Sequence, residues 1–258
     1  MTEASTRQIA SLALTLLDLT DLSDTCTPAD IETLCADAHT PYGHTAAICI
    51  WPRFVQQARG RLGPANPVKI ATVVNFPLGN LTVDTVVKET LDAIADGADE
   101  IDLVIPYHAL MEGDEQAVRA MISAVRAACA PPIVLKVILE TGELKERDLI
   151  RNASHIGIRE GADFLKTSTG KVPVNATLEA ADIMLTCIRE SGRKVGFKPA
   201  GGVQSVADAR LYINLADTIQ GADWVMPSTF RFGASILLKD ILSVIDGRES
   251  AAIAAAAY

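Results

Sequence analysis

Five charged residues lie within short apolar runs of the sequence, and three of them are lysines. They are Asp18, Asp102, Lys136, Lys166 and Lys198. A lysine is rarely buried unless a partner pairs with it or a reaction uses it, because removing water from an ammonium group is costly. If the apolar runs are strands of one sheet, these side chains converge on a common space. Convergence of this kind favours a functional site over isolated strand-end charges that reach solvent.

Three neighbouring lysines favour nucleophilic chemistry at a carbonyl carbon. Each ammonium disfavours the charge of its neighbours, and burial acts in the same direction, so one amine is expected to lose its proton near neutral pH. A neutral lysine amine adds to an aldehyde or ketone and forms a Schiff base. A carboxylate beside that amine would oppose the effect. We therefore expect Asp102 to pair with Lys198 and to handle protons, directly or through a water.

Glycine-rich segments predict a phosphate pocket near the same site. Gly201 and Gly202 follow one apolar run, and Gly233 and Ser235 lie in a segment that opens a helical stretch. Backbone N–H groups and a helix N-terminus bind phosphate in such loops of barrel enzymes. The Ser-Thr-Gly segment at 168–170 is a further candidate for this cradle.

Other catalytic classes are less well supported by the sequence. The four histidines form no H-E-x-x-H pair, and no G-x-S-x-G motif is present. The five cysteines are scattered without C-x-x-C spacing, as expected of reduced thiols. We expect no metal and no cofactor.

Composition restricts the partners. The net charge is -9, which argues against nucleic acid or an anionic membrane as the main partner. A hydrophobic fraction of 49% without an apolar run of about 18 residues indicates a soluble protein with a sizeable core. No signal-peptide pattern is recognisable, so we expect a cytoplasmic location.

Eight strand-like segments recur about every 30 residues, separated by helical patterns. The segments are 16–20, 45–52, 69–77, 100–107, 133–140, 163–170, 194–202 and 222–229. Examples of the helical patterns are 83–97, 114–130 and 206–221. Nearly continuous apolar runs are typical of parallel strands buried on both faces. The pattern predicts an α/β fold, a (β/α)₈ TIM barrel, as one domain over 1–258 with a flexible tail at 250–258.

Several motifs together resemble the deoxyribose-phosphate aldolase family. The motifs are TAAICIWPRF, LKVILETGEL, DFLKTSTGK, KVGFKPAGG and RFGAS, in this order along nearly the whole chain. The resemblance implies a (β/α)₈ class I aldolase that needs no metal. Such an enzyme reversibly splits 2-deoxy-D-ribose 5-phosphate into acetaldehyde and D-glyceraldehyde 3-phosphate.

The resemblance also implies residue roles. Lys166 matches the Schiff-base lysine, Lys198 the lysine that perturbs it, and Asp102 the proton-relay carboxylate. Tyr258 matches a C-terminal tyrosine that assists proton transfer, although a frayed tail is the alternative for this position. Residues expected to bind substrate or its phosphate are Asp18, Thr20, Cys49, Lys136, Thr167, Gly170, Lys171, Gly201, Gly202, Gly233 and Ser235. For Cys49, packing within an apolar strand is the alternative.

Two positions depart from the family pattern beside the predicted phosphate site. Gln204 stands where a basic residue often follows Gly-Gly-Val, and Ile236 stands where a second serine can follow Ser235. The expected partners are a phosphosugar and aldehydes, and a homodimer is one assembly that the sequence leaves open. Two other functions also remain open: a phosphosugar isomerase or epimerase, and a non-catalytic sugar-phosphate binding protein.

Overall fold

A closed barrel of eight parallel strands, surrounded by helices, makes up the computed structural model, which describes residues 3–248. The strands are β1 (Leu17–Asp21), β2 (Ala47–Ile50), β3 (Lys69–Val74), β4 (Glu100–Val104), β5 (Val134–Ile138), β6 (Phe164–Lys166), β7 (Gly196–Lys198) and β8 (Phe232–Ala234). The helices are α1 (Glu3–Leu16), α2 (Pro28–Asp37), α3 (Val55–Leu62), α4 (Val83–Ala95), α5 (Tyr107–Met111), α6 (Glu115–Ala128), α7 (Thr141–Leu144), α8 (Arg147–Arg159), α9 (Leu178–Ser191), α10 (Val206–Gln220) and α11 (Leu237–Ile245). The expected α/β barrel is confirmed.

The strands pair in chain order, and β8 returns to β1. Strands β1 to β7 form successive parallel pairs, and Asp18 of β1 lies in register with Gly233 of β8. Parallel bridges from Phe197 to Phe230 and from Ala200 to Gly233 close the cylinder. The C-terminal ends of all eight strands therefore meet at one rim of the barrel, and barrel enzymes carry their active sites at this rim.

Local sequence explains where the crossover helices begin. Side chains of Thr27, Thr82, Asp114, Thr177 and Ser205 accept hydrogen bonds from backbone N–H groups in the first turns of α2, α4, α6, α9 and α10. These residue types satisfy N–H groups that have no partner within the helix. The helices predicted at 83–97, 114–130 and 206–221 are present, with ends within two residues of the predicted bounds.

Gly-Ala-Asp occurs three times in the sequence, at 97–99, 161–163 and 221–223, and the aspartates of the first two copies anchor strands in the same way. Asp99 accepts hydrogen bonds from the Ile70 backbone N–H at 2.8 Å and from Arg59 at 2.6 Å. Asp163 does the same with the Leu135 backbone N–H at 2.8 Å and with Arg126 at 2.7 Å. Each aspartate thus joins the start of one strand to the preceding strand and to an outer helix.

The third repeat marks a wrong prediction. The eighth strand was expected at 222–229, but it is formed by Phe232–Ala234. Asp223 has a φ of 67°, a left-handed conformation that does not fit a strand, and Met226 is exposed. The aromatic rings of Phe230 and Phe232 are fully buried instead, with centroids 4.9 Å apart. Their burial draws the later segment into the barrel, so Gly233 lies within the strand and not in a loop after it.

The apolar core lies between the barrel and its helices. Residues such as Ile48, Ile70, Leu103 and Val137 are fully buried in it. Over residues 3–248, no helix is long and apolar enough to cross a membrane.

Two glycines provide a paired test of barrel packing. A Cβ atom on Gly196 of β7 would lie 2.4 Å from the Phe164 ring, whereas a Cβ on Gly60, exposed on α3, would meet nothing within 4 Å. Gly196→Ala is therefore expected to lower the free energy of unfolding by about 1–3 kcal/mol. Gly60→Ala is expected to raise it by about 0.5–1 kcal/mol, because alanine favours the helix. Urea denaturation measures both, and an unchanged Gly196→Ala midpoint would contradict this packing.

Candidate active site

Six buried charged residues form a closed ring of alternating sign inside the barrel, which we call the charge ring. In order around the ring they are Arg231, Glu100, Lys136, Asp102, Lys198 and Asp18. Each pairs with its two neighbours in the ring, Lys136 also lies 3.9 Å from Asp18 across it, and all six are less than one-tenth exposed. Burial of so many charges is tolerated only because each is paired and hydrogen-bonded.

Asp102 connects the ring to Lys166. Its Oδ1 accepts a hydrogen bond from Lys136 at 2.9 Å, while Oδ2 accepts one from Lys198 at 2.9 Å and one from Lys166 at 2.8 Å. The expected pairing of Asp102 with Lys198 is present, but Asp102 also binds the other two lysines. Lys166 and Lys198 lie in register on β6 and β7. The predicted crowding of the three lysines therefore exists in the fold.

The far side of the ring was not anticipated from the sequence. Arg231 donates to Asp18 at 2.7 Å and to both carboxylate oxygens of Glu100, at 2.9 and 3.2 Å. Glu100 also pairs with Lys136 at 2.5 Å. Glu100 lies two residues before Asp102 and so faces the same side of β4, a signal that the sequence contained. Arg231 was missed because strand eight had been placed too early.

The pKa shifts of the ring residues are those that this ion pairing should cause. Burial opposes ionisation of Asp18, but Lys198 and Arg231 outweigh it and lower its pKa to about 2. Burial also opposes the charge of Asp102, yet the three lysines hold its pKa well below the ordinary value. Burial opposes the charge of Lys198, but Asp102 and Asp18 raise its pKa. The pKa of Lys136 is raised in the same way, against burial, by Asp102 and Glu100. These groups are therefore fixed charges at neutral pH.

Charge counting singles out Lys166. The ring itself contains three cations and three carboxylates, so it is balanced without Lys166. Lys166 is a pendant cation: within residues 3–248, its ion pair with Asp102 at 2.8 Å joins it to the ring. When Lys166 loses its proton the buried group is electrically neutral.

Lys166 is also the point where the buried charges meet open space. A cavity of about 610 Å³ at the strand-end rim is lined by Lys166 and by residues that follow β1, β6, β7 and β8. Of the seven charged residues described above, Lys166 alone lines this cavity. A carbonyl compound in the cavity would reach that amine while the ring stays covered.

The predicted substrate residues divide into two groups. Thr20, Gly170, Lys171, Gly201, Gly202, Gly233 and Ser235 line the cavity. Asp18, Cys49, Lys136 and Thr167 are fully buried beneath it and do not line it. Tyr258 lies outside the described residues, so its role stays a prediction.

The buried group has distinct positions and structural roles. The hydroxyl of Thr167 bonds both the N–H and the carbonyl of Ala200, at 3.0 and 3.3 Å, which ties the loop after β6 to the loop after β7. Cys49 Sγ lies 4.0 Å from Asp102 Oδ2, and burial raises the pKa of its thiol. In the cavity-lining group, a Cβ atom on Gly233 would lie 2.9 Å from Ala200 Cβ and 3.1 Å from Lys198 Cε, so this glycine leaves room for both residues.

Glu140 is a further buried carboxylate that the sequence reasoning did not assign. It follows β5 with a φ of 55° and accepts hydrogen bonds from the backbone N–H of Thr169 at 3.2 Å and from its hydroxyl at 2.5 Å. Burial raises the pKa of Glu140. Its contacts hold the segment that carries Gly170 and Lys171 against the rim.

Among the described residues 3–248, no three His, Cys, Asp or Glu side chains lie in an arrangement that could hold a metal ion.

The ring predicts a specific dependence of stability on acid. Because the folded-state pKa of Asp18 is about 2 against an ordinary 3.8, its stabilising contribution is present above about pH 4 and is lost as the pH falls towards 2. Wild type should lose on the order of 2 kcal/mol of unfolding free energy through this group. In urea denaturation at a series of pH values, Asp18→Asn should give a shallower slope over that range. The exposed surface variant Asp24→Asn should keep the wild-type slope; an equal slope in Asp18→Asn would contradict the ion pairing.

Comparison with known proteins agrees with this geometry. Residues 12–243 match the model of the DeoC/LacD family aldolases. The deoxyribose-phosphate aldolase of Agrobacterium fabrum (strain C58 / ATCC 33970) is 66% identical over 245 residues, which is 95% of each chain. A Toxoplasma gondii ME49 crystal structure, provisionally described as a deoxyribose-phosphate aldolase, superposes with a TM-score of 0.88 at 26% identity, over 97% of this chain and 99% of that one. The deoxyribose phosphate aldolase of Aeropyrum pernix shares the fold, with a TM-score of 0.74 at 24% identity over 94% and 98% of the two chains. Since the family match spans most of the barrel and the Agrobacterium relative nearly the whole chain, this chain belongs to the DeoC/LacD family of aldolases.

Proposed function

We propose that this chain is a deoxyribose-phosphate aldolase of class I, an aldehyde-lyase that reversibly cleaves 2-deoxy-D-ribose 5-phosphate into acetaldehyde and D-glyceraldehyde 3-phosphate. The observation that carries the proposal is the position of Lys166. It touches the charge ring through Asp102 at 2.8 Å and also lines the cavity. The 66% identity to the Agrobacterium aldolase supports the choice of substrate.

The first step in this mechanism is attack by Lys166. Its neutral amine adds to the aldehyde carbon of the open-chain sugar, and loss of water gives an iminium ion. The fixed cation of Lys198, which shares Asp102 Oδ2 with Lys166, disfavours a second ammonium beside it.

Carbon–carbon cleavage follows from the iminium as an electron sink. The 3-hydroxyl gives up its proton and becomes the new carbonyl as the bond between C2 and C3 breaks. The electron pair of that bond forms the C1–C2 double bond of an enamine, while the π pair of the C=N bond moves to nitrogen. D-Glyceraldehyde 3-phosphate leaves. Protonation of the enamine at C2 and hydrolysis then release acetaldehyde and restore the Lys166 amine.

Asp102 is the proposed proton relay. It lies beneath Lys166 and outside the cavity lining, so it acts on protons through the lysine or a bridging water. Burial opposes its charge, but the lysines hold its pKa well below the ordinary value, so Asp102 returns to the carboxylate form after each proton that it passes. Tyr258 is a proposed additional proton donor.

The phosphate is proposed to bind at the outer end of the cavity. Gly201 and Gly202, with φ values of 77° and 84°, line the cavity, and Ser235 lines it just before α11. Within residues 3–248, the cationic side chains that line the cavity are those of Lys166 and Lys171. Gln204 and the 56% exposed Ile236 also line it, so this site relies on backbone groups and Lys171.

A cytoplasmic location and a homodimer are proposed with this activity. The location is supported by the metabolic reaction for which the Agrobacterium relative is named. Light scattering on the purified protein determines the assembly.

Reductive trapping tests the central proposal. With acetaldehyde and borohydride, wild type should gain the mass of one ethyl group on Lys166, because reduction fixes the Schiff base. Peptide mass spectrometry locates the adduct. Lys166→Met should lose both the adduct and the cleavage activity, while Lys171→Met, a lysine in the same cavity, should retain the adduct.

The alternatives give other results in this experiment. An isomerase or epimerase would keep substantial activity in Lys166→Met. A binding protein would show no carbon–carbon cleavage in wild type. An unmodified Lys166 under turnover conditions would refute the aldolase mechanism.

Lys171 provides a test of phosphate binding. Its Nζ pairs with Asp24 at 3.0 Å at the cavity edge. Lys171→Gln is expected to raise KM for 2-deoxyribose 5-phosphate about tenfold, the loss of one charge-assisted hydrogen bond, with little change in kcat. Asp24→Asn should lower that KM because it frees the ammonium. Unphosphorylated 2-deoxyribose should respond to neither variant, and equal effects on both sugars would exclude this role.

A further inference from the structure

Arg231 and Glu100 form the side of the charge ring that lies away from the cavity. Arg231 is hydrogen-bonded to Asp18 at 2.7 Å and to Glu100 at 2.9 Å, and its guanidinium lies 5.7 Å from the Phe164 ring centroid. Neither Arg231 nor Glu100 lines the cavity. A substrate held at Lys166 therefore cannot touch them, and any effect they have on the reaction passes through the ring.

We infer that Arg231 and Glu100 set the pH at which Lys166 becomes reactive, because together they determine the net charge of the ring. The inference rests on the Schiff-base role proposed for Lys166. Arginine stays protonated at any pH at which the protein folds, so Arg231 is a permanent cation. It balances the third carboxylate, which leaves the proton on Lys166 as the charge in excess.

The sign of each effect follows from this balance. Without the charge of Arg231 the ring carries a net negative charge, which favours the protonated form of Lys166. The reaction then requires a higher pH. Without the charge of Glu100 the ring carries a net positive charge, which expels the proton at a lower pH. Removing both charges restores the balance.

Other titratable groups that face the site do not change in this comparison. Those facing Lys166 are Asp102 of β4, Lys136 of β5, Lys198 of β7, Cys49 of β2 and Glu140 after β5. Those facing Arg231 are Asp18 of β1 and Glu100 of β4. Glu140 is held by the backbone N–H and the hydroxyl of Thr169, at 3.2 and 2.5 Å.

A merely structural role for the pair predicts a different result. Breaking a buried ion pair destabilises the fold whichever partner is removed. Such a loss lowers the amount of active enzyme in both variants. It does not move the pH dependence of the remaining activity in opposite directions.

The experiment is the pH profile of kcat/KM for 2-deoxyribose 5-phosphate, which reports ionisations of the free enzyme. Arg231→Met should shift the acidic limb of the profile to higher pH by on the order of one pH unit. Glu100→Gln should shift it to lower pH by a similar amount. The double variant should return the limb close to that of wild type. Arg231→Lys, which keeps the charge, should also keep the wild-type limb.

Shifts of the same sign in the two single variants, or no shift in either, would overturn the inference. If Arg231→Met does not fold, the isosteric Glu100→Gln decides alone. An acidic limb that stays in place in this variant, or that shifts to higher pH, overturns the inference. Borohydride trapping on the same samples separates the two proposals. A wild type that cannot be trapped at Lys166 removes the proposed function itself, whereas trapping with an unmoved profile removes only this inference.

Discussion

Every fixed charge at the centre of this barrel has opposite charges at contact distance, and the site depends on that pairing. Five side chains from β1, β4, β5 and β7, together with Arg231 just before β8, close a ring in which cations and carboxylates alternate. Each ion would be too costly to bury alone. Since removal of one member takes an ion-pair partner from each of its two neighbours, the ring couples the composition of five strand segments to one another.

Lys166 differs from the ring lysines by degree of pairing. Lys136 and Lys198 each contact at least two carboxylates, whereas Lys166 contacts Asp102 and then the cavity. Three lysines of the same chemical type thus have different roles because the carboxylates are unevenly distributed among them. The barrel makes this distribution rigid, since Lys166 and Lys198 are held in register by β6 and β7.

Reasoning from the sequence succeeded where the signal was local or periodic. Continuous apolar runs predicted parallel strands, and charges within those runs located Asp18, Asp102 and the three lysines. It failed at strand eight, because ADWVMPST looks as strand-like as the buried segment that follows, and only packing of the Phe230 and Phe232 rings decides between them. That error concealed Arg231. Glu100 was overlooked because a carboxylate at the start of a strand is ordinarily solvated.

The sequence by itself determined the barrel, its repeating strand and helix units, and the identity of the lysines at its centre, because hydrophobic periodicity and buried charge are properties of short segments. Only the tertiary structure decided which carboxylate meets which lysine, that the ring closes through Arg231 and Glu100, and that Lys166 alone of these groups opens into the cavity. Those pairings join residues as far apart in the chain as Asp18 and Arg231. They exist only after the sheet closes on itself, so no local pattern encodes them.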